Sequence, residues 1–151
     1  MSAQLMDGKA LAAQKKAAIR AEVERLARTP GLAVVLVGEN PASQIYVRGK
    51  ARDCEECGIR CMDFRLPAQT TESELLTLIA ELNGRADVDG ILVQLPLPEG
   101  IRERRVLEAI APEKDVDAFH PENVGRLMQG QARYLPCTPA GVMELLRAAG
   151  K

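Results

Sequence analysis

A tyrosine and a lysine four residues apart form the pair in this sequence that is best suited to proton chemistry. Tyr46 and Lys50 follow an apolar run that ends at Gly38, and Pro41 suits the first position of a helix. On such a helix the two side chains share a face and point into one cleft. A lysine that loses solvation beside a phenol and an apolar ligand becomes neutral more readily, as a general base requires. On spacing alone, a snorkelling surface lysine and a core tyrosine are the simpler interpretation.

Three further segments carry polar groups where chemistry is expected. Gln94 stands where the apolar run in residues 89–98 meets two prolines. Asp115 and Asp117 lie one residue apart in a predicted loop between prolines, and the string 136–139 precedes a predicted helix. Because ligands of open parallel sheets bind beyond the carboxyl ends of the strands, polar groups at such ends indicate one shared cleft.

Taken together, these segments resemble the bifunctional methylenetetrahydrofolate dehydrogenase/cyclohydrolase family over nearly the whole chain. The family usually has glycine at the position of Ala118 and commonly lysine at that of Arg52, and alanine is unfavourable if the turn needs positive φ. The residues that carry the resemblance are Gly38-Glu39-Asn40-Pro41-Ala42-Ser43 with Tyr46 to Lys50, Val93-Gln94-Leu95-Pro96-Leu97-Pro98, Asp115-Val116-Asp117, Phe119-His120-Pro121, Asn123 and Gly125-Arg126-Leu127.

The resemblance implies a tetrahydrofolate substrate with a one-carbon bridge and two reactions, oxidation of methylene to methenyl and hydrolysis of methenyl to the formyl form. It implies that Lys50 activates water and moves a proton while Gln94 holds the amine. Tyr46 would stack on the ligand, and Asp117 would accept the donor pair of the pterin edge; all four are the expected catalytic residues. The implied substrate-binding residues are Tyr46, Val47, Arg48, Gly49, Lys50, Val93, Gln94, Leu95 and Asp117.

Structural roles remain open for several of these side chains. Asp115 or Asp117 could cap the local turn. His120 is the only histidine, but a loop imidazole bonded to the backbone is the commoner case, so no catalytic role is expected for it. Ser43 could assist from the start of its helix or satisfy an exposed amide there.

The alternation of strands and helices predicts an α/β fold of three layers with a mostly parallel sheet and helices on both faces. The predicted elements are a helix over 8–28 stopped by Pro30-Gly31, a strand over 32–37, a helix from 41 to about 58, a strand over 59–66, a helix opened by the capping box Thr71–Glu74 and running through 82, a strand over 90–95, a helix over 102–110, mostly loop over 112–125, and a helix capped by Thr138-Pro139 that runs to about 149.

The resemblance makes this an amino-acid-dehydrogenase-like N-terminal domain. Residues 1–138 would be the folate-binding catalytic domain, and residues 139–151 would begin a connector helix to a domain that binds NADP. No G-x-G-x-x-G or Walker-type loop occurs in the 151 residues, so the Rossmann cofactor domain is expected to be absent from this chain. The chain is therefore expected to be a fragment or truncated form without dehydrogenase activity.

Composition argues against several partners. A net charge of −1 and an aromatic content of 3% give neither the basic field nor the stacking surface that nucleic-acid binding needs. No apolar run is long enough for a membrane span, and the N-terminus lacks a signal pattern, so a cytoplasmic location is expected. The resemblance adds one-carbon metabolism that serves purine biosynthesis, and a homodimer for the full-length form.

Four cysteines raise the alternative of a metal or redox protein. Cys54, Cys57 and Cys61 form a C-x-x-C-x-x-x-C string that Cys137 could complete. Their thiols are expected to point in different directions and to act as small apolar groups, so no metal is expected. A folate-binding fragment without catalysis and the catalytic half of a shikimate-type dehydrogenase are competing interpretations of the whole chain.

Overall fold

Three parallel strands form the sheet in the computed structural model, which describes residues 5–150. Their spatial order is β2-β1-β3, with β1 at Gly31–Val37, β2 at Arg60–Leu66 and β3 at Gly90–Val93. The described residues also form six helices: α1 (Gly8–Val23), α2 (Pro41–Cys57), α3 (Glu72–Gly84), α4 (Glu103–Ala109), α5 (Pro121–Met128) and α6 (Cys137–Ala148).

The parallel register brings the carboxyl ends of β1 and β3 to the same edge of the sheet. Val35 pairs with Val93, and the backbone N–H of Gln94 donates to the Val35 carbonyl at 2.8 Å. Gln94 therefore lies at the edge where the chain leaves β1 through Gly38 toward α2.

Helices cover both faces of the sheet, as the sequence predicts. Because successive strand side chains point to opposite faces, Val35 packs with the buried residues of α3 and α4, whereas Val34 packs with Val47 of α2 and Leu92 of β3. Burial on both faces explains why β1 is apolar throughout instead of alternating.

Two helix starts confirm the local predictions. The Asn40 side chain accepts from the Ser43 N–H at 3.1 Å, and Pro41 occupies the first turn of α2. The helix is capped at its other end by Gly58, with φ of 75°. Thr71 and Glu74 form a reciprocal capping box at the start of α3.

The predicted end of the first helix is wrong. α1 ends at Val23, five residues before the predicted Arg28, and the chain then turns toward β1. Residues 24–29 are all exposed, including Leu26, so no tertiary packing supports another helical turn.

The expected loop is observed over 112–120, but the helix α5, which begins at Pro121, was not predicted. His120 caps this helix, since its Nδ1 accepts from the Glu122 N–H at 3.1 Å, and Pro121 occupies the first turn. The start of α5 thus has the same proline signature as the start of α2. Smaller differences are that β3 ends at Val93 instead of Leu95, and that α6 begins at Cys137 with Pro136, not Thr138, as its cap.

Length and hydropathy together rule out a transmembrane segment in every helix between residues 5 and 150.

Candidate active site

The Lys50 amine is held by a side chain from a different element. Lys50 lies in the middle of α2, and its Nζ donates to Oε1 of Gln94 at 2.9 Å. Gln94 follows directly after β3, and its Nε2 donates to the Leu95 carbonyl at 2.8 Å. The second bond orients the amide so that its oxygen faces the lysine. One of the amine's three donor positions is thereby used, and the others are available to a ligand.

Tyr46 lies one turn before Lys50 with its ring largely in solvent. The side chain is 62% exposed, and Lys50 Nζ is 5.7 Å from the ring centroid. Tyr46 is therefore neither the core tyrosine of the simpler interpretation nor a buried phenol. Because the ring is exposed beside a half-buried amine, its face is available for stacking on a ligand.

Asp117 brings a carboxylate to the same place. Burial raises the pKa of Asp117, the positive charge of Lys50 opposes this, and the negative charge of Asp115 adds to it. The Cys137 Sγ, at the start of α6, lies 4.0 Å from Asp117 Oδ1 and 3.9 Å from the Val116 carbonyl.

All four of the predicted catalytic residues line one cavity of about 1080 Å³. Away from them the cavity continues over an apolar wall that includes Ile19 of α1 and Leu32, Leu92 and Val116 on the sheet side. The arrangement thus combines a lysine, an amide and a carboxylate with apolar surface, which are the components of a site for a flat polar ring.

The other five predicted binding residues lie elsewhere. Val47 is buried in the core below α2, and Val93 packs on the opposite face of the sheet from the cavity. Arg48 is exposed, and neither it nor Gly49 lines the cavity. Leu95 contributes its carbonyl to Gln94 and is not part of the lining either. Their role in binding stays a prediction.

Sequence reasoning missed three residues that line the cavity beside Asp117, namely Tyr134, Cys137 and Thr138. The Tyr134 hydroxyl donates to the Glu113 carbonyl at 2.6 Å, which ties the segment before α6 to the segment before Asp117. The segment 136–139 was singled out in the sequence because it precedes a helix. A polar group at the start of a helix does not by itself reveal which cavity it lines, so the sequence did not place these residues beside Asp117.

The structural roles considered for Asp115 and His120 are observed. The Asp115 carboxylate accepts from the His120 N–H at 2.8 Å within its own loop, and His120 caps α5. Ser43 is buried, and its own N–H donates to the Asn40 side chain, so Asn40 is the capping residue.

The expectation that the cysteine thiols point in different directions is only partly met. Cys54 and Cys61 do not point apart, since their thiols lie close enough to influence each other's pKa, and burial raises the pKa of Cys54 to about 12. Cys57 faces the Lys16 carbonyl instead. All four cysteines are free thiols, and within the described part of the chain no group of three or more His, Cys, Asp or Glu side chains is placed to hold a metal ion.

Comparison with known proteins identifies the family. Residues 6–117 match the family model of the tetrahydrofolate dehydrogenase/cyclohydrolase catalytic domain. The chain belongs to this family. A shikimate-type dehydrogenase is therefore no longer a competing interpretation.

Relatives match nearly all of this chain but only half of their own length. The bifunctional protein FolD of Nitratidesulfovibrio vulgaris is 62% identical over 146 residues, which cover 94% of this chain and 51% of that protein. Among solved structures, the FolD methylenetetrahydrofolate dehydrogenase/cyclohydrolase of Campylobacter jejuni superimposes with a TM-score of 0.95 at 50% identity, covering 97% of this chain and 54% of that one. The Trypanosoma brucei FolD, solved in complex with NADP cofactor and inhibitor, gives a TM-score of 0.93 at 37% identity and covers 100% and 54%.

Proposed function

We propose that this chain binds tetrahydrofolates that carry a one-carbon bridge and hydrolyses the 5,10-methenyl form to the 10-formyl form, with Lys50 as the base. The hydrogen bond from Lys50 to Gln94, in the wall of a cavity that Asp117 also lines, carries the proposal. This bond holds the Lys50 amine half-buried beside apolar surface, in a position from which the amine can transfer a proton during hydrolysis.

The hydrolysis consumes one water molecule, and its proton transfers occur in separate steps. Water adds to the methenyl carbon as Lys50 accepts one of its protons, which leaves a hydroxyl on that carbon. A proton is then delivered to N5, the carbon–N5 bond breaks, and the hydroxyl proton leaves to solvent as the formyl C=O forms. A methenyl cation next to the amine disfavours the ammonium form, so the substrate itself favours the neutral base. Gln94 keeps the amine aimed at the carbon because its own amide is bonded to Leu95.

Substrate recognition is assigned to Tyr46 and Asp117. The exposed Tyr46 ring offers a face for the pterin or the adjacent ring. The pterin edge has an amino group beside a ring N–H, and a carboxylate accepts such a pair in fork geometry. The two donors would also offset the cost of keeping the partly buried Asp117 charged.

Dehydrogenation needs a dinucleotide, and the described residues do not fit one. No glycine-rich loop joins a strand to a helix in residues 5–150, so no cradle for a pyrophosphate is present there and no hydride step is assigned to these residues. We infer that NADP would contact residues outside this chain, in the half of its relatives' length that it does not span.

Several finer expectations stay predictions. They are the division into residues 1–138 and a connector helix from 139, a cytoplasmic location, a homodimer, and a link to purine biosynthesis. α6 itself packs against α1, with an ion pair between Glu144 and Lys15.

The test is an assay of 5,10-methenyltetrahydrofolate hydrolysis by this chain alone, since that reaction needs no dinucleotide. We expect turnover that Lys50→Met abolishes while folate binding is nearly unchanged, because methionine keeps the length but not the base. Lys9→Met, on the exposed surface of α1, is the matched control and should keep full activity. Unchanged turnover in Lys50→Met removes Lys50 as the base, and folate binding without turnover in the unmodified chain favours a binding module instead.

A further inference from the structure

A second carboxylate, Asp115, lies beside the site without lining the cavity. Its side chain is buried, with 2% of the residue exposed. Its Oδ2 accepts two hydrogen bonds, from the His120 N–H at 2.8 Å and from Asn123 Nδ2 at 2.9 Å. A buried charge needs such partners, and both come from the start of α5.

Asp115 also closes the turn that carries Asp117. The Ala118 N–H donates to the Asp115 carbonyl at 3.3 Å, so residues 115–118 form a turn with Asp117 at its third position. Asp115, two residues before Asp117, thus holds the chain that follows Asp117 at two points, through its carbonyl to Ala118 and through its side chain to His120.

The same turn is attached to the strand that positions Gln94. The Ile91 N–H donates to the Lys114 carbonyl at 2.7 Å, and Ile91 and Asp115 form a parallel bridge beside β3. Lys114 Nζ donates to the Asn83 and Arg85 carbonyls, each at 2.8 Å, and so fixes the turn to the end of α3. Gln94 and the Asp117 turn are therefore both held by β3.

We propose that Asp115 is a positioning residue, whose buried carboxylate and carbonyl fix the 115–118 turn so that Asp117 faces Lys50 across the cavity. This inference rests on the proposed function, in which Asp117 receives the pterin. It assigns to Asp115 an effect on folate affinity that acts through Asp117, with no contact between Asp115 and the ligand.

Two substitutions at position 115 separate geometry from charge. Asp115→Asn keeps an oxygen that can accept from both His120 and Asn123, so tetrahydrofolate binding should stay within about threefold of the unmodified chain. Asp115→Ala removes the acceptor, leaves two buried donors unpaired and should weaken binding by about tenfold or more.

A double-mutant cycle measured by calorimetry with tetrahydrofolate tests whether the effect passes through Asp117. In an Asp117→Ala background, Asp115→Ala should change the Kd by less than about twofold, because the carboxylate that it positions is already gone. An equal loss in both backgrounds, or no loss in either, overturns the proposal. If Asp115→Ala fails to fold by circular dichroism, Asn123→Ala replaces it in the cycle. It removes the one side-chain donor to Asp115, together with the bond of that amide to the Pro112 carbonyl, and leaves the His120 N–H and the bond from Ala118 to Asp115 in place. It should weaken binding less, by about threefold, and no weakening overturns the proposal.

A ligand-free measurement keeps this inference distinct from the proposed function. A crystal structure of Asp115→Ala, or of Asn123→Ala in its place, should show the Asp117 carboxylate displaced from Lys50, and an unmoved carboxylate overturns the positioning role. Absence of folate binding in the unmodified chain would instead contradict the proposed function, and the crystal structure would still decide the role of Asp115.

Discussion

Gln94 holds Lys50 from the end of β3 by a hydrogen bond of 2.9 Å between Oε1 and Nζ. The two residues are 44 positions apart in the chain, and the pairing of β1 with β3 brings them together. Because the other end of the amide is bonded to Leu95, Gln94 cannot rotate to follow a mobile lysine without losing a bond. The direction of the amine therefore depends on the sheet as well as on α2.

Removal of this amide should impair turnover more than binding. Gln94→Ala releases Lys50 from its only side-chain acceptor within residues 5–150, and a misplaced catalytic group costs about 10²-fold in rate. Steady-state hydrolysis of methenyltetrahydrofolate should show kcat reduced by that order with a smaller change in KM. Gln44→Ala is the control, because Gln44 reaches only the Glu39 carbonyl at 3.4 Å, and a KM effect without a kcat effect would reassign Gln94 to binding.

Asp117→Ala should weaken folate binding. A hydrogen bond to a charged group contributes about 1.5–3 kcal/mol, so the loss in binding free energy should fall in that range. Isothermal calorimetry with tetrahydrofolate measures it, and Asp63→Ala on β2, which is not part of the cavity lining, should bind normally. Equal affinity in Asp117→Ala would leave Asp117 with a role in the turn alone.

The same carboxylate makes stability depend on pH. Its pKa in the folded chain is raised above the ordinary 3.8, mainly by burial, so the stabilising protonated form is fully present below 3.8 and is lost as pH rises through the raised value. Asp117→Asn has no proton to lose there. Urea unfolding should therefore show the unmodified chain losing stability relative to Asp117→Asn as the pH rises above 3.8, whereas a constant difference would contradict the burial effect.

The four thiols should differ strongly in reactivity. Cys137 is exposed and lines the cavity, and its pKa is raised by burial but without the large shift that takes the pKa of buried Cys54 to about 12. A thiol must ionise to react. Alkylation with iodoacetamide at pH 8, followed by mass spectrometry, should modify Cys137 first and Cys54 last. Tetrahydrofolate should slow modification at Cys137, and faster labelling of Cys54 would show that the α2 end opens in solution.

Ala118 has a left-handed backbone conformation, which favours glycine over residues with a side chain. Its φ is 57° and it is buried. Relief of about 1–2 kcal/mol of strain in Ala118→Gly is opposed by about 0.4–1 kcal/mol of added unfolded-state entropy and about 0.8 kcal/mol from the lost buried methyl group. The contributions nearly cancel, so the net change in unfolding free energy should lie within about 0.8 kcal/mol of zero by urea denaturation.

The matched control for that substitution is Ala51→Gly in the middle of α2, where glycine costs about 1 kcal/mol relative to alanine. An equal cost at both positions would show that residue 118 has no left-handed strain to relieve.

Local signals identified most of the elements in this fold. Pro41 after Asn40, the Thr71–Glu74 box and the unbroken apolar run of β1 each depend on contacts within a few residues, so the chain alone reports them. The end of α1 could not be predicted in this way, because helical propensity continues past Val23 and only the absence of packing over residues 24–29 ends the helix. α5 was not predicted because a proline such as Pro121 suits a loop as well as the first turn of a helix.

The sequence by itself determined the family, the α/β class and the four side chains that could do chemistry, because residue type and spacing carry that information. Only the tertiary structure decided that Gln94 reaches Lys50, that the Tyr46 ring is exposed, and that Val47 and Val93 face away from the cavity. These outcomes depend on strand register and on which face of each element is buried. Register is set by packing between segments that lie far apart in the chain, and a local pattern does not contain it.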